Sequence, residues 1–398
     1  MKPYQSQLDM ADKAFSVLKQ YAIVYLAAEE RTGKTVTSLL VAEKCQTANS
    51  VLVLTKKKAI DGWMDTLKAV DFLTKAYTVT NYHQAKNEIA NYDIVILDEA
   101  HNYIAAAPKS SAIWKAVKKI TKGCPLIYIS ATPNAQGRQQ LYHQFALSDW
   151  SPWARYKTFY SWFRTYGVPT EIWIAGQKRP VYTNVHDEMV VEETKHLFVT
   201  KTRQELGFEH EPTDKLHSIQ LEQSTKDVYN TLVKDRLIEI LPNKMLVCDT
   251  PMKLRTSLHM LEGGVAKVGE EYLTLANTEK LDYVKNTWGD TNNLAIFYQY
   301  IEEGNKLRKA FRYAKILQGT SYAEGIDLSN IKHLVIYSQD FSTARHTQRR
   351  ARQANINRSD EITVHFLLCE NAVSEQVYNI VSVNKQNFVD SVFDKVAI

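Results

Sequence analysis

The run Tyr92-Asp93-Ile94-Val95-Ile96-Leu97 ends abruptly in two adjacent carboxylates, Asp98 and Glu99, followed by Ala100 and His101. An apolar run of this length, closed by a polar break, predicts a strand buried on both faces of a parallel sheet. In open α/β sheets, ligands bind at the carboxyl ends of the strands. Two acids there are costly unless a cation offsets them, and magnesium is a hard, oxygen-seeking cation suited to the task. The stretch alone leaves two readings: Asp98 holding a metal with Glu99 handling a water, or a solvated strand end.

Other segments repeat the pattern. Buried-strand runs occur at 22–27, 51–55, 76–80 and 126–129, separated by stretches of helical spacing such as Leu8, Ala11, Phe15 and Leu18. Strands alternating with helices predict a doubly wound parallel sheet. With 398 residues the chain is too long for one ordinary core. A second series of runs at 294–298, 313–318, 333–337 and 362–368 predicts a second α/β domain. Apolar residues make up 44% of the chain and charged residues 23%, which suits globular domains and excludes a disordered chain. The formal charge of +5 permits a polyanionic partner, and equally a surface with excess lysine.

The four cysteines, Cys45, Cys124, Cys248 and Cys369, form no C-x-x-C pair. They suggest neither a zinc site nor a disulfide framework, and a reducing, intracellular setting fits them. No apolar signal segment opens the chain, and no apolar run approaches the roughly 20 residues that span a bilayer.

The first strand run feeds Ala28-Glu29-Glu30-Arg31-Thr32-Gly33-Lys34-Thr35, and a helical pattern follows from Val36 to Lys44. Strand, G-K-T loop and helix form the context of a phosphate-binding loop, in which loop amides and a helix N-terminus aim positive charge at phosphate oxygens. Lys34 would reach the β/γ-phosphates, Thr35 would ligate magnesium, and Arg31, Thr32 and Gly33 would line the loop. The full pattern has glycine where this chain has Ala28, and many such loops have another where it has Arg31.

Taken in order, these motifs resemble the superfamily 2 helicases and translocases, whose motor is two RecA-like domains with an ATP cleft between them. Gly33-Lys34-Thr35 looks like motif I and Asp98-Glu99-Ala100-His101 like motif II in its DEAH form. Ser130-Ala131-Thr132 looks like motif III, and Pro3-Tyr4-Gln5 is similar to the glutamine element that reads adenine. Trp63, Asn81-Tyr82 and Ser130-Ala131-Thr132-Pro133-Asn134 are similar to the Swi/Snf-type group, and compact phage-type members look closest. Downstream, the segment from Gly319-Thr320-Ser321 to Gly325-Ile326-Asp327 looks like motif V. Gln348-Arg349-Arg350-Ala351-Arg352 looks like motif VI.

The resemblance implies several roles. Glu99 orients or deprotonates the attacking water, while Gln348 and the finger Arg352 complete the site from the second domain. Asn355 stands where the family has its second arginine. Arg358 could substitute, or Arg349 and Arg352 could be the pair in a shifted register. His101, Ser130, Thr132, Gly325 and Asp327 would couple the nucleotide to movement. Lys56, Lys57, Lys58, Asn81, Tyr82, Thr320 and Ser321 would contact nucleic acid, although Lys56-Lys57-Lys58 reads equally as a solvated run.

The implied architecture is a first RecA-like domain over 1–149, an aromatic-rich insert and connection over 150–205, and a second domain over 206–398. The boundary falls in the polar stretch 195–215. Phe159, Phe163 and Tyr166 share a helix face, which predicts packing onto the core in preference to stacking on DNA bases. A hairpin is predicted from strands 171–175 and 181–184, with Gly176-Gln177-Lys178-Arg179 as its turn. In the second half, 222–241 and 254–261 read as helices. The implied activity is ATP hydrolysis with magnesium, driving movement along DNA or its unwinding by a monomer in a prokaryotic or phage-infected cytoplasm. Replication or recombination proteins would be its associates. An RNA helicase and a nucleotide-gated DNA clamp without productive movement are the alternatives.

Overall fold

The computed structural model describes residues 2–88, 91–134, 137–174, 177–206, 212–319, 328, 330–350 and 360–384. The chain divides into two compact units, Met1–Gly207 and Phe208–Ile398.

The first unit begins with α1 (Gln5–Tyr21), β1 (Ile23–Leu26), α2 (Lys34–Lys44), β2 (Ser50–Thr55), α3 (Ile60–Ala69) and β3 (Ala76–Asn81). It continues with β4 (Ile94–Asp98), α4 (Ala112–Ile120), β5 (Leu126–Ile129), α5 (Gln140–Phe145) and α6 (Phe159–Tyr166). It ends with β6 (Thr170–Ile174), β7 (Gln177–Val181), α7 (Asp187–Thr194) and β8 (Phe198–Val199). Six strands pair in parallel in the order β3-β2-β4-β5-β1-β8.

Alternate residues of these strands enter two separate cores. Ile23, Tyr25, Val95, Leu97, Leu126 and Tyr128 face one, with Val117, Leu141 and Phe145 from α4 and α5. Val24, Leu26, Ile94, Ile96, Ile127 and Ile129 face the other, with Met10, Leu39 and Trp63 from α1, α2 and α3. Burial on both faces is why these runs are apolar without alternation.

The aromatic segment packs on the first of these cores. Trp153, Trp162 and Tyr166 are buried, with ring centroids 5.1 Å apart for Trp153–Trp162 and 5.2 Å for Trp162–Tyr166. Thr158 caps α6 through its hydroxyl, which accepts from the Ser161 amide at 3.1 Å. Glu193 on α7 accepts from Trp153 Nε1 and Arg155 Nη2, which locks the segment down. The predicted packing therefore holds for this aromatic face.

The second unit contains β9 (Thr213–Ile219), α8 (Gln223–Asp235), β10 (Leu237–Leu241), β11 (Lys244–Val247), α9 (Pro251–Glu262), β12 (Val265–Val268) and β13 (Glu271–Thr274). After them come α10 (Glu279–Trp288), β14 (Leu294–Tyr298), α11 (Ile301–Ala310), β15 (Lys315–Gln318) and β16 (His333–Ile336). The last elements are α12 (Thr343–Arg350), β17 (Thr363–Cys369) and α13 (Val373–Tyr378). Its five-stranded sheet is also all parallel, in the order β15-β14-β16-β17-β9. Two RecA-like parallel-sheet domains and an aromatic-rich region are thus the architecture.

Several local expectations need correction. The helix predicted over 222–241 stops at Asp235, because Arg236 adopts a left-handed conformation (φ 61°). Residues 237–241 instead form β10, antiparallel to β11. The hairpin turn predicted at 176–179 lies too late in the chain: Gln177, Lys178 and Arg179 are strand residues paired with Ile174, Trp173 and Ile172. The stretch 195–215, read as a connection, contributes β8 and the start of β9 to the two sheets. Phe198 belongs in the first sheet because its ring stacks on Tyr25, centroids 5.0 Å apart. No helix among the described residues is long and apolar enough to cross a membrane.

Candidate active site

Three central strands of the first sheet end level with one another. Leu26 and Asp98 both pair with Ile129, so β1, β5 and β4 stop at one height. The residues that follow them are the Ala28–Thr35 loop, Ser130 and Glu99. Because β5 lies between β1 and β4, Ser130 lies between the loop and the carboxylates. The connection from β1 passes through α2 to β2, on the far side of β5 and β4. Such a reversal of strand order opens a crevice at the carboxyl edge.

The loop has the backbone shape that its sequence left in question. Arg31 takes φ 67° and Gly33 φ 78°, so the position where glycine was expected is left-handed without it. Thr32 donates to the Glu29 carbonyl at 2.8 Å, and Lys34 Nζ donates to the carbonyls of Ala28 (2.7 Å) and Glu29 (2.6 Å). The segment after β8 braces the loop: Glu29 N donates to Lys201 O, and Arg203 N to the Glu29 carboxylate. Burial lowers the Lys34 pKa, while Glu30, Glu99 and Asp98 act to raise it.

Gly33 is needed for a second reason. A Cβ there would lie 2.1 Å from Nε2 of Gln7. Gln7 is buried, and its Oε1 accepts from the Tyr4 amide at 2.9 Å. Gln5, the predicted adenine reader, is exposed on the first turn of α1 and donates to Asp9. The structure therefore brings Gln7 to the loop, a contact the sequence did not reveal.

Asp98 Oδ2 accepts from Thr55 Oγ1 (2.7 Å) and from Trp63 Nε1 (3.0 Å). Tyr82 hydroxyl donates to the Asp98 carbonyl at 2.9 Å. Glu99 is left-handed (φ 49°), a costly conformation for a residue with a long side chain. Its Oε2 accepts from Ser130 Oγ at 2.9 Å. Ser130 Oγ also lies 3.1 Å from His101 Nδ1 and accepts from the Thr132 amide at 3.0 Å. A hydroxyl has one proton and two lone pairs. With that proton on Glu99, Ser130 takes its remaining bonds from Thr132 N and from His101 protonated at Nδ1. Burial lowers the His101 pKa to about 4, so the ring is neutral at pH 7 and this tautomer is the consistent one.

Burial raises the pKa of both carboxyls, and for Asp98 the charge of Glu99 adds to the effect. Lys34 and Lys56 pull Glu99 down, and Lys56 does the same for Asp98. Lys56 therefore acts on the carboxylate pair, whereas Lys57 and Lys58 are exposed on a 3-10 turn. Asn81 and Tyr82 were expected to meet nucleic acid, but both side chains are used inside the unit. Asn81 Oδ1 accepts from the His83 and Gln84 amides, and the buried Tyr82 ring stacks on Tyr103 with centroids 4.5 Å apart.

In the second unit, Gln348 lies on α12. Thr320, Ser321, Gly325, Asp327, Arg352 and Arg358 lie outside the described residues. Arg349 is buried, with Nη2 3.2 Å from Asp340 Oδ2, and Arg345 bonds the same oxygen at 2.7 Å. Burial lowers the Arg349 pKa to about 10. Its guanidinium lies against Gly319, where a Cβ would be 2.8 Å from Cζ. Arg349 is thus held inside the second unit beside Asp340, although its buried Nε and Nη2 have no hydrogen-bond partner among the described residues.

No family model and no curated protein matches the chain. Solved structures do. The Sulfolobus solfataricus SWI2/SNF2 ATPase core in complex with dsDNA is 14% identical, covering 99% of this chain and 94% of its own, with a TM-score of 0.45. The Sulfolobus solfataricus SWI2/SNF2 ATPase core domain gives 12%, 100%, 94% and 0.43. The ATP-dependent Type ISP restriction-modification enzyme LlaBIII bound to DNA is 14% identical over 97% of this chain, with a TM-score of 0.50. This chain spans 30% of that enzyme's length, and the likeness is one of fold.

Proposed function

We propose that this protein is a superfamily 2 ATPase that couples ATP hydrolysis to movement along DNA. The level ends of β1, β5 and β4, which bring the Lys34 loop, Ser130 and the Asp98–Glu99 pair to one crevice, carry this reading. The fold shared with a DNA-bound, ATP-dependent restriction-modification enzyme agrees with it.

The residues fit a magnesium nucleotide. Asp98 uses Oδ2 for Thr55 and Trp63, which leaves Oδ1 for a cation or its water. Magnesium is commonly held by one or two protein groups and substrate phosphates, and Thr35 and Asp98 would be those groups. Bound magnesium supplies charge neutralisation at the phosphates. Lys34 would exchange its two loop carbonyls for phosphate oxygens beside the amides of Gly33, Lys34 and Thr35. Glu99, held by Ser130, would orient the attacking water. Arg352 would act as the finger, with Arg358 as the second arginine. The left-handed Arg31 supports a loop shaped to hold phosphate, which an ATPase and a nucleotide-gated clamp both require.

ATP turnover with and without DNA tests this reading. Turnover stimulated by DNA is the expected result. Absence of turnover would favour the clamp, and stimulation by RNA alone would favour an RNA helicase. Arg352→Ala should abolish hydrolysis and leave melting unchanged, whereas Arg349→Ala should unfold the second unit at lower denaturant.

A further inference from the structure

Within the first unit, a cavity of about 720 Å³ opens among α4, the end of α5 and residues 148–160. None of the loop, carboxylate or motif III residues lines it. Its volume falls in the usual range for ligand pockets. Its walls carry Trp114, Tyr142, Trp153, Tyr156, Phe159 and Tyr160, with Tyr160 42% exposed. Its lining also includes Lys109, Lys115, Lys118 and Lys157 against a single acid, Asp149.

The acid is already engaged. Asp149 accepts from the Gly123 amide at 2.9 Å and pairs with Lys118 at 3.3 Å. No ion pair among the described residues takes up Lys109, Lys115 or Lys157. His143 is buried in the wall, its ring parallel to Phe159 at 5.7 Å, and its Nδ1 has no hydrogen-bond partner. Burial holds its pKa at about 4, so it is neutral and offers a polar atom without charge.

Aromatic faces next to uncompensated lysines suit a flat, polar-edged ring joined to phosphates. We infer that this cavity holds an unstacked nucleobase of a single-stranded nucleic acid, with the flanking phosphates on Lys115 and Lys157. The base would stack on the exposed ring of Tyr160, and the two lysines would release counterions when phosphate binds. The inference rests on the proposed nucleic-acid-driven ATPase and adds a place on the first unit where the strand is gripped. It separates two roles in the aromatic segment: Trp162 and Tyr166 close the core, while Tyr160 and Trp114 present a surface.

The test is fluorescence anisotropy of a labelled twelve-nucleotide oligo(dT) with the full chain, the Lys115→Glu/Lys157→Glu variant and Tyr160→Ala. The charge variant should bind at least about tenfold more weakly, and its log–log salt slope should be shallower by about 1.4. Tyr160→Ala should weaken binding about 5- to 100-fold. A parallel series with oligo(rU) identifies the sugar: the strand that binds more tightly and loses more in the variants is the one held here. Unchanged affinity and salt slope in both variants would overturn the inference, as would losses confined to an acidic, tyrosine-containing peptide. Failure of the wild-type chain to bind either oligonucleotide would also overturn it. ATP turnover in the same preparation then shows whether the proposed function stands without this site.

Discussion

The carboxyl ends of the two sheets treat acidic residues in opposite ways. In the second unit, Asp340 follows β16 and is buried between Arg345 and Arg349, so its charge is answered within the protein. In the first unit, Asp98 ends β4 and Glu99 follows it, both with raised pKa values, and the lysines nearby do not outweigh burial. One acid is a finished part of the scaffold. The other pair is a site whose charge is left for something else to answer, which is what a cation-binding crevice requires.

The contrast predicts opposite signs for similar substitutions. Asp340→Ala should cost about 3–5 kcal/mol in urea unfolding, because it strands a buried arginine. A loss below about 1 kcal/mol would make Asp340 a surface acid in energetic terms and remove the contrast. Trp162→Ala, in the fully buried aromatic core of the first unit, should cost about 3–5 kcal/mol. A fall in DNA-stimulated turnover without this loss would give Trp162 a role in function instead of packing. Gly319→Ala forces a methyl onto the Arg349 guanidinium and should cost about 1–3 kcal/mol. Asp98→Asn should change stability by less than about 1 kcal/mol or raise it, since asparagine keeps an oxygen for Thr55 and Trp63 and loses the buried charge.

Acid should act on both units. In the second, His217 Nε2 and His365 Nδ1 are 3.0 Å apart, and burial holds His365 at about 4. In the first, His101 and His143 are also held at about 4. These three rings therefore bind more protons in the unfolded chain than in the folded one between about pH 6.5 and 4, opposite in sign to the raised carboxyls Asp98 and Glu99. Stability from these rings is fully present above about 6.5 and is lost as pH falls through that window. An NMR titration should find the His101, His143 and His365 rings still neutral at about pH 5.5, and titration of these rings near 6.5 in the folded protein would contradict their burial.

Much of this was legible from residues. Strands such as 94–98 and 126–129 are apolar on both faces, and a helix cannot easily imitate that pattern when breaks follow so soon. The loop, the acid pair and Ser130 were legible because each follows such a run. The hairpins β10–β11 and β12–β13 were not, although Asn243 (φ 63°) and Gly269 (φ 59°) mark their turns. Their strands are short and half exposed, so periodicity gives them little signal. Gln7 and Thr55 were missed for a different reason, and Lys56 was read as a nucleic-acid contact without its link to the carboxylate pair. Each matters through a partner distant in sequence, and no local pattern marks that. Trp63 was visible as a motif residue, but its bond to Asp98 became clear only when β2 and β4 were paired.

The central claim is that the Asp98–Glu99 pair is half of an ATP-hydrolysing site. Glu99→Gln addresses it most directly, because glutamine keeps the acceptor for Ser130 and loses the base. ATP binding and turnover should be measured together on that variant in the presence of DNA. Binding should persist while turnover falls by about 10²–10⁴-fold. Turnover at the wild-type rate would contradict the claim and return the pair to the status of a solvated strand end.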